Sequence, residues 1–335
     1  MSEAAVRFAI LGFGHHAVRR LVPAFGQTKE SVLAGAWRRD QGALQRNCTD
    51  LRIPKAFRSR EELCASPDVD AIFITSPDAM HRADALLAFA HGKAVLCEKP
   101  VAMNAHEAEE MAREAARSGV QYGVAHNFRW NRTLEWMREQ IRRGRIGQPQ
   151  LAHAQFAYPA NTAPRVWIAD PTLACGGPIA DVGVHCIDAL RFVLGQEVKS
   201  VSTLARSDGQ SGAVEAVASL QMEMSADVYA TVTVSARAPY RTLIEITGSD
   251  GVLLAENGLT VDRPVEVSLR RAGEVVEAKT LENRDGYTRM LDDFARAFRG
   301  GASFAATGTD GVTNMRALDA AYSSWRSGRR EIVAS

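Results

Sequence analysis

An aspartate and a histidine four positions apart, Asp181 and His185, lie in a segment with helical periodicity. Residues at this spacing share one face of an α-helix, with Cβ atoms about 5–6 Å apart, so both side chains could reach one substrate hydroxyl. Imidazole exchanges a proton near neutral pH, which suits His185 to deprotonate an alcohol or protonate a carbonyl. Asp181 could orient the imidazole or bind a neighbouring hydroxyl. The same pair is also compatible with a salt bridge on a helix surface.

A lysine, Lys99, follows the apolar segment 93–97 within the sequence Glu98-Lys99-Pro100. The segment is predicted to be a strand, and ligands of open α/β folds bind at the carboxyl ends of the strands. An ammonium group there could polarise a substrate oxygen or share its proton. A surface lysine in a turn is the alternative interpretation.

A glycine-rich turn, GFGHHA over 12–17, joins the apolar strand predicted at 6–11 to a helix. In this G-x-G-x-x-A pattern Gly12 permits a tight turn and Gly14 lets the backbone approach a pyrophosphate. Ala17 allows the helix to pack on the strand, and the N–H groups at the helix start face the phosphates. The context predicts a dinucleotide site, although a tight turn without a ligand has the same pattern.

The second strand ends in Trp37-Arg38-Arg39-Asp40, where an NAD-binding protein usually has an acidic residue for the ribose hydroxyls. Arg38 fills that position. A guanidinium can pair with a 2′-phosphate and stack on adenine, which favours NADP over NAD. The alternative is that both arginines are solvated and that Asp40 restores NAD binding.

The first 125 residues alternate between short apolar segments and amphipathic ones. This alternation predicts a parallel sheet covered by helices on both faces. The strands are predicted at 6–12, 32–37, 70–75, 93–97 and 121–125. The helices are predicted at 15–27, 40–48, 59–66, 78–91 and 104–118.

Strand signals dominate after about residue 150, and they predict a half-covered, largely antiparallel sheet. In the segment 227–236, alternate apolar residues share one face and Tyr229, Thr231 and Thr233 the other. Further strands are predicted at 197–206 and 213–222, a hairpin turn at 248–251, and helices at 131–142, 181–194, 286–299 and 309–326.

Charge and composition exclude several classes of protein. The chain has 335 residues, with 40 Lys and Arg against 39 Asp and Glu, so its net charge is +1. We expect neither a nucleic-acid partner nor a membrane surface, since both require a strong basic field. The five cysteines form no Cys-x-x-Cys pair, and the N-terminus lacks the pattern of a signal peptide. A cytoplasmic protein is therefore expected.

Two segments, taken together, resemble a known family. The first is Ile74-Thr75-Ser76-Pro77-Asp78 with His81 and Glu98-Lys99-Pro100, and the second is GGPIADVGVH over 176–185. With the junction Asn127-Phe128-Arg129-Trp130, they resemble the glucose–fructose oxidoreductase / inositol dehydrogenase family (Gfo/Idh/MocA) along essentially the whole chain.

The resemblance implies an α/β fold with two domains. An N-terminal Rossmann domain over 1–125 would bind NADP, the preferred cofactor, or NAD. A C-terminal α/β domain over 126–335, with an open, largely antiparallel sheet, would bind substrate and form a homodimer or homotetramer. The implied activity is hydride transfer between nicotinamide and a carbinol or carbonyl carbon of a sugar, polyol or related compound.

The resemblance also assigns roles to residues. Lys99, Asp181 and His185 would be catalytic, no metal would be needed, and the Lys99–Pro100 peptide bond would be cis. The expected cofactor contacts are Gly12, Phe13, Gly14, His15, His16, Trp37, Arg38, Arg39, Thr75, Ser76, Pro77, His81, Glu98, Lys99 and Asn127. The expected substrate contacts are Lys99, His126, Asn127, Trp167, Asp181 and His185, with core packing as the alternative for Trp167.

Two departures leave the substrate open. Ile168 stands where the family often has arginine, and Cys175 replaces the first of three glycines. A redox-neutral hydrolase or lyase that keeps NAD bound is one alternative function. A cofactor-binding regulator is another, although the intact trio of Lys99, Asp181 and His185 argues against it.

Overall fold

Residues 4–160, 166–209 and 214–334 are described in the computed structural model. Residues 161–165 and residue 213, at the start of a predicted strand, lie outside these ranges. The chain divides into two units. The first comprises Met1–Ala125 with Tyr287–Val312, and the second His126–Gly286 with Thr313–Ser335.

Five parallel strands form the sheet in the described part of the first unit, in the order β2-β1-β3-β4-β5. Their bounds are β1 Val6–Leu11, β2 Ser31–Trp37, β3 Ala71–Ile74, β4 Ala94–Cys97 and β5 Tyr122–Val124. The chain leaves β1 toward β2 on one side and returns to β3 on the other. This reversal places the ends of β1 and β3 side by side, where open α/β folds bind their ligands.

A short segment extends this sheet beyond β2. Ala36 and Ala56 form an isolated parallel bridge, in which Ala36 N donates to Lys55 O at 2.9 Å and Phe57 N donates to Ala36 O at 3.0 Å. When this segment is counted as an edge strand, the strand order matches that of the Rossmann fold. The structure therefore confirms the predicted fold class of the first unit.

Local sequence signals account for the helices of the first unit. Ser59 Oγ accepts from Glu62 N at 3.0 Å, and Asn104 Oδ1 accepts from Glu107 N at 3.0 Å, so both side chains act as N-caps. Gly119, with φ of 64°, ends the last helix in the left-handed region. The bounds are α1 Ala17–Leu21 (a π-helical turn) continued by Val22–Phe25, α2 Gln41–Asp50, α3 Arg60–Ala65, α4 Asp78–Ala90 and α5 Ala105–Ser118.

A segment near the C-terminus belongs to the first unit, whereas the sequence interpretation kept 126–335 together. Phe294 packs on Phe8 with ring centroids 5.6 Å apart, and Phe304 packs on Phe294 at 5.2 Å. Thr307 also forms an antiparallel bridge with Gly123. Apolar packing thus returns Tyr287–Val312 to the first sheet. No local pattern in the sequence marks this return.

Nine strands form the sheet in the described part of the second unit, in the order β13-β12-β11-β10-β6-β9-β8-β7-β14. All neighbours are antiparallel except β6 and β9, which confirms the prediction of a largely antiparallel sheet. The bounds are β6 Pro149–Ala157, β7 Val198–Arg206, β8 Val217–Met224, β9 Tyr229–Ser235, β10 Arg241–Gly248, β11 Val252–Glu256, β12 Val265–Arg271, β13 Glu274–Leu281 and β14 Glu331–Ile332. The strands β12 to β14 are additions to the sequence interpretation.

The alternation along β9 is as expected. Ala230, Val232 and Val234 are buried, whereas Tyr229 is exposed. Helix α7 packs against β6 on the covered face. The remaining helices are α6 Arg132–Arg142, α7 Ile179–Gly183 (a π-helical turn) continued by Val184–Leu194, α8 Gly286–Phe298 and α9 Gly308–Ser327, with 3₁₀ turns at Asn127–Trp130 and Val166–Ala169. Within the described ranges, every helix is too short or too polar to cross a bilayer.

The start of α7 differs from the sequence expectation. The sequence predicts an α-helix from 181, but in the structure this helix begins with a π-helical turn at Ile179–Gly183. A π-helix bonds i to i+5 rather than i to i+4, and such turns occur frequently at functional sites. Asp181 therefore lies in the π turn, and His185 lies in the α-helical part.

Candidate active site

The glycine turn after β1 contains a glycine that the fold requires. Gly12 has φ of +93°, and a Cβ built on it would lie 2.4 Å from the backbone nitrogen of Ser76. Thr75 Oγ1 also donates to Gly12 O at 3.0 Å. The turns after β1 and β3 therefore touch backbone to backbone, and any side chain at Gly12 would separate them.

The second glycine of the turn is different, because the fold does not require it. Among the described atoms, a Cβ on Gly14 would meet only Gly12 O, at an ordinary 3.6 Å, and φ lies outside the left-handed region. Its missing side chain instead leaves the backbone accessible to a closely approaching group. This accessibility fits the pyrophosphate of a dinucleotide.

The residues between and after the glycines have distinct positions. Phe13 is fully buried, and its N–H, like that of Gly12, donates to Trp37 O at 2.9 Å. Phe13 thus supports the turn from within the core. His15 is exposed and His16 is half-buried, at the outer side of the turn.

His16 is linked to the turn after β4. Its Nε2 lies 2.9 Å from Oε1 of Glu98, while Oε2 of Glu98 accepts from the backbone nitrogen of Lys99 at 3.2 Å. Burial alone would raise the pKa of Glu98, but its contacts with His16 and Lys99 outweigh that effect and the net shift is downward. Glu98 is therefore a buried carboxylate that stays ionised.

His81, one of the expected cofactor contacts, joins the turn after β3 to the turn after β4. Its ring is buried, with Nε2 2.8 Å from Ser76 O and Nδ1 3.0 Å from Pro100 O. These contacts connect the turn after β3 to the turn after β4. His81 thus supports the candidate cofactor site through these two backbone contacts.

Ser76 has a second buried partner. Its Oγ donates to Asp84 Oδ2 at 2.7 Å, and Arg60 donates to Asp84 Oδ1 at 2.8 Å. Burial raises the pKa of Asp84, and the two hydrogen bonds act in the opposite direction. Thr75 and Pro77, on either side of Ser76, are half-buried.

Lys99 follows Glu98 in the turn after β4 and is half-buried, and its peptide bond to Pro100 is cis, as the resemblance implied. The turn therefore holds Lys99 next to the buried carboxylate of Glu98. In the first unit, Lys99 is the residue for which the family resemblance implies a catalytic role.

The end of β2 bears on the choice of cofactor. The carboxylate of Asp40 accepts from Ala43 N at 2.9 Å as the N-cap of α2, and this hydrogen bond lowers the pKa of Asp40, with Arg38 and Arg46 adding to the effect. Arg38 is half-buried and Arg39 exposed. Trp37 is half-buried too, its Nε1 donating to Arg58 O at 3.4 Å.

The second unit carries Asp181 and His185. Asp181 is buried, and the phenolic hydroxyl of Tyr158 donates a hydrogen bond to its Oδ2. Tyr158 immediately follows β6, and the sequence interpretation did not identify it. The sequence shows only that Tyr158 follows a segment with strand signals, and the packing of that strand on α7 appears only in the structure.

His185 is held by aromatic rings. The ring of Phe128 meets it edge-on at 4.7 Å between centroids, and that of Phe156 stacks with it at 6.3 Å and 23°. Tyr158 in turn packs on Phe156 at 6.4 Å. His185 is buried, with 9% of the residue's surface exposed. These rings limit its orientation, and they too were missed in the sequence.

A buried polar network surrounds His126, which the sequence expected to line the substrate pocket. Asn314 Nδ2 donates to His126 Nε2 at 2.8 Å and to Asp188 Oδ1 at 2.9 Å. Arg129 binds Asp188 with a shortest contact of 2.6 Å. Burial would raise the pKa of Asp188, but the guanidinium of Arg129 shifts it well below its ordinary value.

This network anchors the 3₁₀ turn Asn127–Trp130, which carries Phe128 to His185. Asn127 in this turn is buried, 2% exposed. Trp167 and the departures Ile168 and Cys175 are half-buried. In the ranges 4–160, 166–209 and 214–334, no cluster of three or more His, Cys, Asp or Glu side chains is arranged to hold a metal ion.

Two family models match the chain. "Oxidoreductase family, NAD-binding Rossmann fold" matches residues 6–126, and "GFO/IDH/MocA C-terminal domain" matches residues 134–254. The matches confirm the resemblance, the fold class and the expected class of enzyme, an oxidoreductase with a nicotinamide cofactor.

Individual proteins agree with the family models. The chain is 33% identical over 276 residues, 80% of each chain, to 1,5-anhydro-D-fructose reductase of Ensifer adhaerens. It is 29% identical over 323 residues to D-xylose 1-dehydrogenase (NADP(+)) 2 of Haloferax volcanii, covering 96% of this chain and 98% of the relative.

A solved structure has the same fold. The aldose-aldose oxidoreductase of Caulobacter crescentus, complexed with glycerol, superposes with a TM-score of 0.90 at 22% identity, over 98% of this chain and 100% of that one. From the two family models and the 33% identical relative, the chain belongs to the Gfo/Idh/MocA family of NAD(P)-dependent oxidoreductases.

Proposed function

We propose that this enzyme is an NADP-preferring oxidoreductase acting on a hydroxyl or carbonyl carbon of a sugar, polyol or related compound. The observation that carries the proposal is the presence, in one chain, of the glycine turn at Gly12 and Gly14 and of Lys99, Asp181 and His185. The names of the relatives support the substrate class, since one reduces 1,5-anhydro-D-fructose and another oxidises D-xylose.

The first unit is proposed to bind the cofactor. When bound, the nicotinamide supplies the hydride acceptor or donor. Gly14 exposes its backbone to the pyrophosphate, and the turns after β3 and β4, joined by His81, position Ser76 and Glu98. His81 and Phe13 support this site from within, and the turn residues contact the ligand.

The proposed preference for NADP follows from the role of Asp40 as the N-cap of α2. Its carboxylate caps α2 and is engaged by Ala43 N. A ribose hydroxyl would have to compete with that hydrogen bond. Arg38, which follows β2, would then hold the cofactor here, since its guanidinium can pair with a 2′-phosphate.

The second unit is proposed to supply the proton transfer. In the oxidative direction His185 takes the hydroxyl proton, and Asp181 orients it or binds a neighbouring hydroxyl. Lys99 stabilises the negative charge that develops on the oxygen as the hydride leaves the carbon. In the reductive direction the same groups polarise and protonate the carbonyl.

The outer face of the second sheet is proposed as the contact between copies in a homodimer or homotetramer. Tyr229 is 64% exposed and Leu151 55% exposed, and Thr231 and Thr233 lie on the same face as Tyr229. Sedimentation as monomer alone would contradict this. A cytoplasmic location is proposed with it, because five cysteines scattered along the sequence are typical of thiols kept reduced.

The proposed function is tested by titrating the protein with NADP and NAD, followed by fluorescence, and by assaying a panel of sugars and polyols. We expect tighter binding of NADP and turnover of at least one compound with net change of NADPH. Cofactor that co-purifies without any net turnover would instead indicate a redox-neutral hydrolase or lyase.

The role of Lys99 is tested in the same assay. Lys99→Met should lower kcat by about 100-fold or more, since it removes the charge that polarises the oxygen. Binding of NADP should be retained, although Lys99 is one of the expected cofactor contacts, because the other contacts remain. Lys199→Met, at a surface ion pair on β7, is the matched control and should turn over normally. Normal turnover by Lys99→Met would refute the assignment.

A further inference from the structure

A buried glutamate, Glu215, lies just before β8 in the second unit and is 1% exposed. A charge removed from water is costly unless it is hydrogen-bonded. Its Oε2 accepts from Gly177 N at 3.0 Å, and its Oε1 accepts from Ile179 N at 2.7 Å and from the hydroxyl of Tyr322 at 3.1 Å. All three partners are donors, which an ionised carboxylate can satisfy together. Burial raises the pKa of Glu215, and these three hydrogen bonds act in the opposite direction.

The two backbone donors lie at the entry to the π-helical turn that carries Asp181. The first N–H groups of a helix have no partner within it, and a negative charge near them is favourable. Asp181 N itself donates to Gly177 O at 2.9 Å. The peptide units that Glu215 holds are therefore one hydrogen bond away from Asp181.

The same residues explain the glycine pair of the sequence GGPIADVGVH. A Cβ on Gly177 would lie 2.0 Å from the backbone oxygen of Glu215, and a Cβ on Gly176 would lie 1.8 Å from the hydroxyl oxygen of Tyr322. Neither glycine has a positive φ. Close packing against Glu215 and Tyr322 thus requires the pair, rather than an unusual backbone conformation.

We infer that Glu215, supported by Tyr322, is a positioning residue that fixes the backbone at Gly177–Ile179 and so the placement of Asp181 for the chemical step. It acts through Asp181 rather than on the substrate. The inference rests on the proposed function for its kinetic consequence, but its structural part is independent of the substrate.

The test is Glu215→Gln, which keeps the size of the side chain but replaces one acceptor with a donor facing a backbone N–H. Loss of a charge-assisted hydrogen bond predicts a fall in kcat of about 10- to 100-fold. The dissociation constant for NADP, which the first unit is proposed to bind, should be unchanged. Glu215→Asp, which keeps the charge, should recover part of kcat.

A second readout does not require a known substrate. Hydrogen exchange of the peptide spanning 176–186 should be faster in Glu215→Gln than in the wild type, while the strands of the first unit exchange as before. Glu223→Gln is the matched control, because it makes the same change at a surface ion pair on β8 and should alter neither readout.

The outcomes separate the two proposals. Wild-type protein without turnover would refute the proposed function, and the exchange measurement would then decide alone whether Glu215 holds the turn. Unchanged exchange in Glu215→Gln overturns the inference, as does faster exchange with unchanged kcat in an active enzyme. If Glu215→Gln does not fold, Tyr322→Phe, which removes one of the three hydrogen bonds, should lower kcat by a few-fold. A normal kcat in that variant would overturn the inference.

Discussion

The hydroxyl of Tyr158 donates a hydrogen bond to Oδ2 of Asp181. This contact joins the residue that follows β6 to the π-helical turn at the start of α7. Because this hydrogen bond holds one carboxylate oxygen of Asp181, it also restricts the direction in which the other oxygen, Oδ1, points. The pair therefore determines how Asp181 is presented.

Tyr158→Phe should lower kcat without affecting cofactor binding, because it removes the hydrogen bond to Asp181 and keeps the ring on Phe156. The expected fall is about 10-fold, as for one hydrogen bond to a charged group. Steady-state kinetics with the best substrate of the panel provides the measurement. Tyr229→Phe removes the same hydroxyl on the outer face of β9, the proposed contact between copies, and keeps the ring, so it should have wild-type kinetics. A wild-type kcat for Tyr158→Phe would show that this contact does not matter for turnover.

Alanine at the two glycines of the turn should give opposite results. Gly12→Ala introduces both a left-handed backbone penalty and a clash with Ser76, so the free energy of unfolding should fall by about 1–3 kcal/mol or more. Gly14→Ala has space for its Cβ, so stability should stay within about 0.5 kcal/mol while affinity for NADP falls. Urea unfolding and fluorescence titration measure the two quantities. Full affinity in Gly14→Ala would contradict a close approach of the cofactor.

Arg38→Ala should weaken NADP binding by about 10- to 100-fold and leave NAD binding nearly unchanged, because only NADP has the 2′-phosphate. Asp40→Ala should instead lower Tm slightly, since it removes the N-cap of α2, with no change in cofactor preference. Titrations with both cofactors distinguish the two effects. A gain of NAD affinity on removing Arg38, or a loss of it on removing Asp40, would favour the interpretation that Asp40 binds the ribose.

Glu98 should make stability depend on pH. Its contacts with His16 and Lys99 lower its pKa in the folded state below the ordinary value of 4.5. The stabilisation is therefore fully present above about pH 5, and it is lost as the pH falls through the lowered folded pKa. Free energies of unfolding in urea between pH 7 and pH 3 should fall less steeply for Glu98→Gln than for the wild type. Glu245→Gln on β10 controls for removal of any carboxylate, and equal slopes for all three proteins would contradict the assignment.

Several parts of the fold could be predicted because their signals are local. Ser59 and Asn104 cap helices through N–H groups three residues away, and Gly119 ends a helix by its own backbone conformation. The apolar pattern distinguished the two sheets. A parallel sheet is buried on both faces, so its strands are continuously apolar, whereas the half-covered antiparallel sheet has strands that alternate between apolar and polar residues. The glycine turn was recognised for the same reason, since its strand and helix adjoin it in sequence.

The placement of Asp181 and His185 was predicted only in part. Their spacing indicated one turn of helix, but the segment forms a π-helical turn at Ile179–Gly183, whose hydrogen-bond partners include residues far along the chain. Glu215 reaches the entry of this turn from 38 residues beyond Gly177, and Tyr158 reaches Asp181 from 23 residues before it. Neither partner is detectable from spacing.

The sequence by itself determined the glycine turn after β1, the strand types, the helix caps and the identity of the chemical groups, because each depends on residues within about one turn or one strand of each other. Only the tertiary structure decided which side chains hold those groups, that Tyr287–Val312 packs with the first sheet, and that Gly14, unlike Gly12, is not needed for packing. These features depend on which strands become neighbours, and that choice is made by the burial of apolar surface over the whole chain rather than by any local pattern.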